Sequence, residues 1–373
     1  MTSCERFLTA LRCGTPDRVP VFEFHWNPVF IETTLGRPIG PHNVDDEVEM
    51  SHRTCIDMVW TAAHGFTAFY NCQLVGSAKH YQDDWGTWYG TNEHAWPAGW
   101  PEDYAINLRE DWDLIDIPNP RDPKQVEQAR RAVELAGGDL AVLGGVRGPF
   151  SAAWMLTGMV NISLALYEDR SLMADIFRTL GQWNTQIGLE LIKAGVDAVV
   201  VNDDYCMNNQ TFISLADWRE LVLPVVAEPI DTLAATGKPV ILHSDGNLDA
   251  ILDDIVSLRI AGLHPLQRSA KMDIAAVKKR YGDRLCLIGN LSVTTTLAHG
   301  TPDEVGCETL ECLRDAAPGG GYILAADHSF HGGVSPANVW RALETCKQFG
   351  HYPLDVAAID TEWHRIKALE TDA

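Results

Sequence analysis

Eight short apolar runs punctuate the chain, at residues 19–24, 65–70, 140–146, 196–202, 239–243, 261–266, 285–290 and 322–327. Each ends in glycine or in polar residues. Most are β-branched or continuously apolar rather than alternating, which suits strands covered on both faces of a parallel sheet. Between them, apolar residues recur at helical spacing over 172–194, 221–235, 248–259 and 272–280, with glycine close to the C-terminal end in most cases. Strands alternating with helices predict an α/β fold, a (β/α)8 TIM barrel, with residues 1–373 as one domain. The residues before the first run form an N-terminal extension. Residues 81–120 are rich in Trp, Pro, Gly and acids and read as an insertion covering one end of the barrel. Trp85, Trp88, Trp96, Trp100 and Trp112 fall there, as an aromatic lid over a flat ligand or as ordinary packing.

Composition narrows the class. A chain of 373 residues with 46% hydrophobic content can bury a large core. The net charge of −22 argues against nucleic acid and against an anionic membrane surface as partners. Nine cysteines, an odd number with no Cys-x-x-Cys, disfavour a disulfide framework and a zinc ribbon. The first residues carry no apolar signal core, and the expected location is the cytoplasm.

In a barrel of this kind, chemistry sits at the C-terminal ends of the strands. Read in order, those ends present Glu23 and His25, Arg147 and Phe150, Asn202-Asp-Asp204, His243-Ser-Asp245, His264 and Gln267, Asn290, and Asp327-His328. His243 and Asp245 stand two apart at a strand exit, so they share a face. An imidazole and a carboxylate there can ligate a metal, with His328 or His331 as the third ligand, or simply order a loop. Asp203 and Asp204 are paired carboxylates for acid–base work, or one caps the next element. Arg147 can clamp a substrate carboxylate or phosphate, and Phe150 lines the pocket or packs. Glu23, His25, Gln267, Asn290 and His331 complete the expected substrate contacts. Gly319-Gly-Gly321 precedes a strand and lacks the context of a phosphate loop.

The ordered motifs resemble the uroporphyrinogen decarboxylase superfamily. They are Arg6-Phe-Leu-Thr-Ala-Leu-Arg12, Pro16-Asp-Arg-Val-Pro20, Asp84-Trp-Gly86, Gly148-Pro-Phe150, Asp203-Asp204, His243-Ser-Asp-Gly-Asn247, Gly262-Leu-His-Pro-Leu-Gln267, Met272-Asp-Ile274, Tyr281-Gly-Asp-Arg284, Gly289-Asn290, Gly321-Tyr-Ile-Leu324 and Ser335-Pro-Ala-Asn338. The resemblance implies a barrel and two chemistries. The decarboxylases act on porphyrinogen without a metal and carry an arginine-rich N-terminal loop, where this chain has Glu23-Phe-His-Trp-Asn27. Missing arginines mean missing counter-charges for a polycarboxylate. The methyltransferase branch, which serves corrinoid proteins or coenzyme M, resembles His-x-Cys followed much later by Cys, a zinc site. Here His243 matches the His, Asp245 stands for the first Cys and His328 for the second.

The leading expectation is therefore a zinc-dependent methyltransferase or demethylase with a corrinoid carrier. Asp203 or Asp204 would be its acid or base, acting beside His243 and Asp245. The alternatives are a metal-independent decarboxylase and a non-catalytic tetrapyrrole-binding barrel. Expected partners are a small methylated or tetrapyrrole-like substrate and a corrinoid protein, with a homodimer as an alternative to the monomer.

Overall fold

A computed structural model describes residues 1–24, 27–39, 43–63, 80–90, 100–107 and 109–371. Seven parallel strands form one sheet: β1 (Met58–Ala62), β5 (Ala141–Arg147), β6 (Ala198–Asn202), β7 (Val240–His243), β8 (Gly262–His264), β9 (Cys286–Ile288) and β10 (Tyr322–Ile323), in that spatial order. The ends of this sheet meet through an eighth stave. Phe22 N–H donates to the Leu324 carbonyl on one side, and Asp57 N–H donates to the Val21 carbonyl on the other. The result is a TIM-barrel-like α/β fold, and the apolar runs become strands because helices cover their outer faces.

The side-chain parity of β5 shows what faces where. A methyl on Gly144 would meet Leu191 and Val196 in the outer layer, and one on Gly145 would strike the Trp60 indole at 2.7 Å. Odd-numbered residues of β5 therefore face the barrel interior, including Arg147 at its top. At the opposite end, helix Ser3–Leu11 plugs the interior: a methyl on Gly262 would meet Leu11 at 3.1 Å. This core tolerates little loss, and cutting a fully buried strand leucine such as Leu143 to Ala costs roughly 2–5 kcal/mol.

Several expectations shift. The early strand is Met58–Ala62, buried along its whole length; the expected strand at 65–70 lies outside the described residues. The helix expected over 172–194 runs Arg170–Ala194 and stops at left-handed Gly195. The one expected over 248–259 shrinks to Leu252–Val256. In the 81–120 segment, β2 (His80–Gln82), β3 (Trp88–Gly90) and β4 (Trp100–Asp103) make an antiparallel sheet. Trp85 packs edge-on against Trp183 of the outer helix, 5.3 Å between centroids, so it serves packing rather than a lid over the mouth. Trp96 lies outside the described residues. Among the described residues no single helix is long and apolar enough to cross a membrane.

Candidate active site

The ladder runs one bond past each strand. Gly148 N–H donates to the Asn202 carbonyl, Asp203 N–H to the His243 carbonyl, and Ser244 N–H to the His264 carbonyl. These bonds hold the polar exits in line. The two adjacent aspartates then separate. Asp203 is fully buried and its carboxylate accepts Ser151 N–H at 2.6 Å, at the start of helix Pro149–Thr157. A methyl on Gly148 would sit 2.1 Å from the Asp203 carboxyl carbon, so only glycine lets this carboxylate reach the helix end. Burial pushes the Asp203 carboxyl up to about 7. Asp203 thus caps this helix from the neighbouring strand end, which is the capping alternative for one of the paired aspartates.

Asp204 turns into the mouth. Its N–H donates to Ser151 Oγ at 2.9 Å, and its Oδ1 accepts Asp245 N–H at 2.9 Å. Asp204 Oδ1 lies 3.7 Å from His243 Nε2, and Asp245 Oδ1 lies 3.6 Å from the same nitrogen. Gly246 makes this approach feasible with φ +87°; a methyl there would meet the Cys206 carbonyl oxygen at 2.3 Å.

The other nitrogen of His243 is occupied. His243 Nδ1 and His264 Nδ1 are 2.6 Å apart, with the rings stacked at 26°. His264 also hydrogen-bonds the Ala326 backbone. Burial and the neighbouring His243 ring hold its pKa well below the ordinary value. A neutral His264 that donates to Ala326 leaves Nδ1 as an acceptor, so the metal-binding form of His243 carries its proton on Nδ1 and turns a bare Nε2 toward the two aspartates. Sequence reading placed His264 in the ring of strand-end residues but gave it no role. The signal was available: His243 and His264 close consecutive strands and are register partners.

Three ligand-capable atoms thus converge, from Asp204, His243 and Asp245, all within 4.8 Å of one another. Asp245 Oδ1 is buried and, among the described residues, has no hydrogen-bond partner. Donors at roughly 2.0–2.2 Å from one zinc ion lie about 3.5 Å from each other, close to the 3.6 and 3.7 Å seen here. The donor set fits a divalent cation. It is one nitrogen and two oxygens, harder than a thiolate set. His328, expected as a ligand, instead pairs its Nε2 with Asp245 Oδ2 at 3.2 Å, with half its side chain open. Burial opposes its charge, but Asp245 and Asp204 outweigh that and raise His328 to about 9.

The two mouth carboxylates part company. Burial and the adjacent Asp245 charge raise Asp204. Burial pulls Asp245 the same way, but His243 and His328 outweigh it and bring it down to about 2. Asp204 is therefore the more readily protonated of the two.

The other expected contacts are placed as follows. Glu23 is buried, accepts Ala326 N–H at 2.9 Å and is pushed well up by burial. Arg147 faces the interior beside Asp204. Gln267 accepts Gly246 N–H at 2.7 Å and so shapes the turn. Phe150 is fully buried among Phe177, Tyr205 and Phe212, a packing role. Asn290 is buried and donates to the Leu266 carbonyl, which makes it a loop brace rather than a ligand contact. His331 is exposed, its Nδ1 accepting Gly333 N–H, apart from the converging atoms. His25 lies outside the described residues.

A barrel with titratable groups gathered at the C-terminal ends of its strands is the architecture of an enzyme. The chain belongs to the uroporphyrinogen decarboxylase (URO-D) family, whose model matches residues 102–349. It is 26% identical over 259 residues to the uroporphyrinogen decarboxylase of Chlorobium phaeobacteroides, covering 65% of this chain and 70% of that protein. It is likewise 26% identical over 210 residues to the methylcobamide:CoM methyltransferase MtaA of Methanosarcina barkeri, covering 55% and 57%. A solved methyltransferase from Methanosarcina mazei superposes with TM-score 0.72 over 94% of this chain and 99% of that one, at 19% identity. That likeness speaks to the fold.

Proposed function

We propose that the chain is a metal-dependent methyltransferase that moves a methyl group between a small methylated substrate and a corrinoid carrier. The observation that carries this is the Asp245 Oδ1 atom, buried without a partner and facing His243 Nε2 and Asp204. A partnerless buried carboxylate oxygen is costly unless something charged meets it. Asp204, His243 and Asp245 would hold the ion. When bound, a divalent zinc-like ion supplies Lewis acidity that polarises the atom bearing the methyl group. His264 fixes the His243 tautomer. His328, paired with Asp245 Oδ2 at 3.2 Å, stands at the rim. It can return a proton to the heteroatom that retains its electron pair as the methyl group departs. The relation to a methylcobamide:CoM methyltransferase supports the corrinoid as carrier.

One observation favours a second reading. Without a cation, burial and the neighbouring Asp245 charge make Asp204 the easier of the two mouth carboxylates to protonate. A carboxylic acid so placed can protonate the carbanion left by carbon dioxide loss, as a metal-independent decarboxylase requires.

The test compares zinc-loaded and chelated protein in two assays: methylation of cob(I)alamin from a panel of methoxylated and methylated small molecules, and decarboxylation of uroporphyrinogen. Methyl transfer that needs zinc and is lost in His243→Ala is expected. Decarboxylation that survives chelation, with no methyl transfer, would overturn the reading.

A further inference from the structure

We propose that the barrel mouth takes a small organic carboxylate, with Arg147 binding the anionic end. The proposal rests on the metal-centre reading above and names the substrate class of that site.

Arg147 ends β5 in register with Asn202. Parity puts it on the same face as Gly145, whose position abuts the Trp60 indole inside the barrel. It is half-buried, and among the described residues it has no hydrogen bond or ion pair. Other half-buried or buried arginines of the barrel are spoken for. Arg6 and Arg18 bind Asp57, and Arg268 binds Glu311. The charge Arg147 feels is that of Asp204, one of the two carboxylates placed to hold a divalent cation. Once a cation balances Asp204 and Asp245, Arg147 is left with no counter-charge. A half-buried guanidinium in that state favours an anion, and its planar fork matches a carboxylate two bonds at a time.

The floor beneath supplies the rest of the recognition. Trp60 and Phe24 meet edge to face at 5.2 Å, and Phe24 lies 5.5 Å from the His243 ring. A carboxylate bound at Arg147 would therefore lay an apolar or aromatic body over these rings, with its far end toward Asp204, His243 and Asp245.

The experiment is calorimetric titration of the full chain, zinc-loaded and metal-free. The probes are acetate, benzoate and 3-methoxybenzoate, their neutral amides, and inorganic phosphate. Carboxylates are expected to bind better than the matching amides. Arg147→Gln should weaken carboxylate binding by roughly tenfold or more, the scale of a lost charge-assisted bond, and leave amide binding unchanged. Arg147→Lys should recover part of the loss. Equal carboxylate binding by the parent and Arg147→Gln, or no carboxylate binding at all, would overturn the proposal. Phosphate binding tighter than every carboxylate, with the same arginine dependence, would overturn the carboxylate assignment in favour of a phosphorylated ligand. The same titrations count zinc. A parent that binds no zinc yet discriminates carboxylates through Arg147 would remove the metal centre and keep this subsite. Full zinc without that discrimination would do the reverse.

Discussion

The two ends of the barrel treat charge in opposite ways. At the N-terminal end, Asp57 is fully buried and its carboxylate accepts Arg6 Nη1, both Arg18 Nη atoms and Val21 N–H at 2.7–2.9 Å. Arg6 is closed off further by Asp17. Each of these charges answers another within the chain, and the network ties the N-terminal helix to β1 and to the eighth stave. At the C-terminal end, Asp204, Asp245 and His243 aim their ligand atoms at a common point, and Arg147 has no carboxylate bound to it. Satisfied charge holds the fold together. Charge left waiting marks the place where something else binds.

Breaking the closed end should give the largest effect. Asp57→Ala leaves the Arg18 guanidinium unpaired and Arg6 with Asp17 alone, and is expected to cost about 3–5 kcal/mol in denaturant unfolding. Asp245→Ala, by contrast, removes one partnerless carboxylate oxygen and one ion pair to a half-exposed histidine, and should cost clearly less than Asp57→Ala. If both variants lose stability alike, the contrast between the two ends fails. Next in size is His264→Phe. Outer partners of a metal-bound imidazole are worth roughly 10–100-fold in affinity, so zinc competition against a chromophoric chelator should show a loss on that scale. Unchanged affinity would mean that the 2.6 Å contact does not set the His243 tautomer.

The adjacent aspartates offer a sharper and smaller test. Asp203→Ala strips a cap from buried amides and is expected to cost about 1–3 kcal/mol in stability with zinc affinity retained. Asp204→Ala should lower zinc affinity with stability retained. The smallest effect concerns pH. His328 is raised from 6.5 to about 9 in the folded chain. Its contribution to stability is therefore fully present below about pH 6.5 and fades as pH rises through about 9. His328→Ala should flatten that part of the metal-free pH–stability curve, and an unchanged slope between those limits would refute the Asp245 pairing.

The barrel was legible because strand runs and glycine-ended helices alternate over most of the chain, as at 140–146 and 172–194. The strand Met58–Ala62 did not stand out in the sequence because Met58-Val-Trp-Thr-Ala62 carries no turn signal at its end. In the site, the period-two spacing of His243 and Asp245 was enough to find both. Telling Asp203 from Asp204 was not feasible from spacing, since the strand ends at Asn202 and parity applies to neither. What separates them is the tertiary approach of Gly148 and Ser151. Position after the last strand and the family resemblance both point to His328 as a third ligand. Its contact with Asp245 depends on how that loop returns over the mouth.

The most direct measurement is metal content of the purified chain and of Asp245→Ala after both are stripped and reloaded with zinc, with folding checked on the same samples. One equivalent in the parent, lost in the folded variant, is expected. A folded parent that takes up no divalent metal, or a variant that still holds one equivalent as tightly, would contradict the assignment of Asp204, His243 and Asp245 as a metal centre.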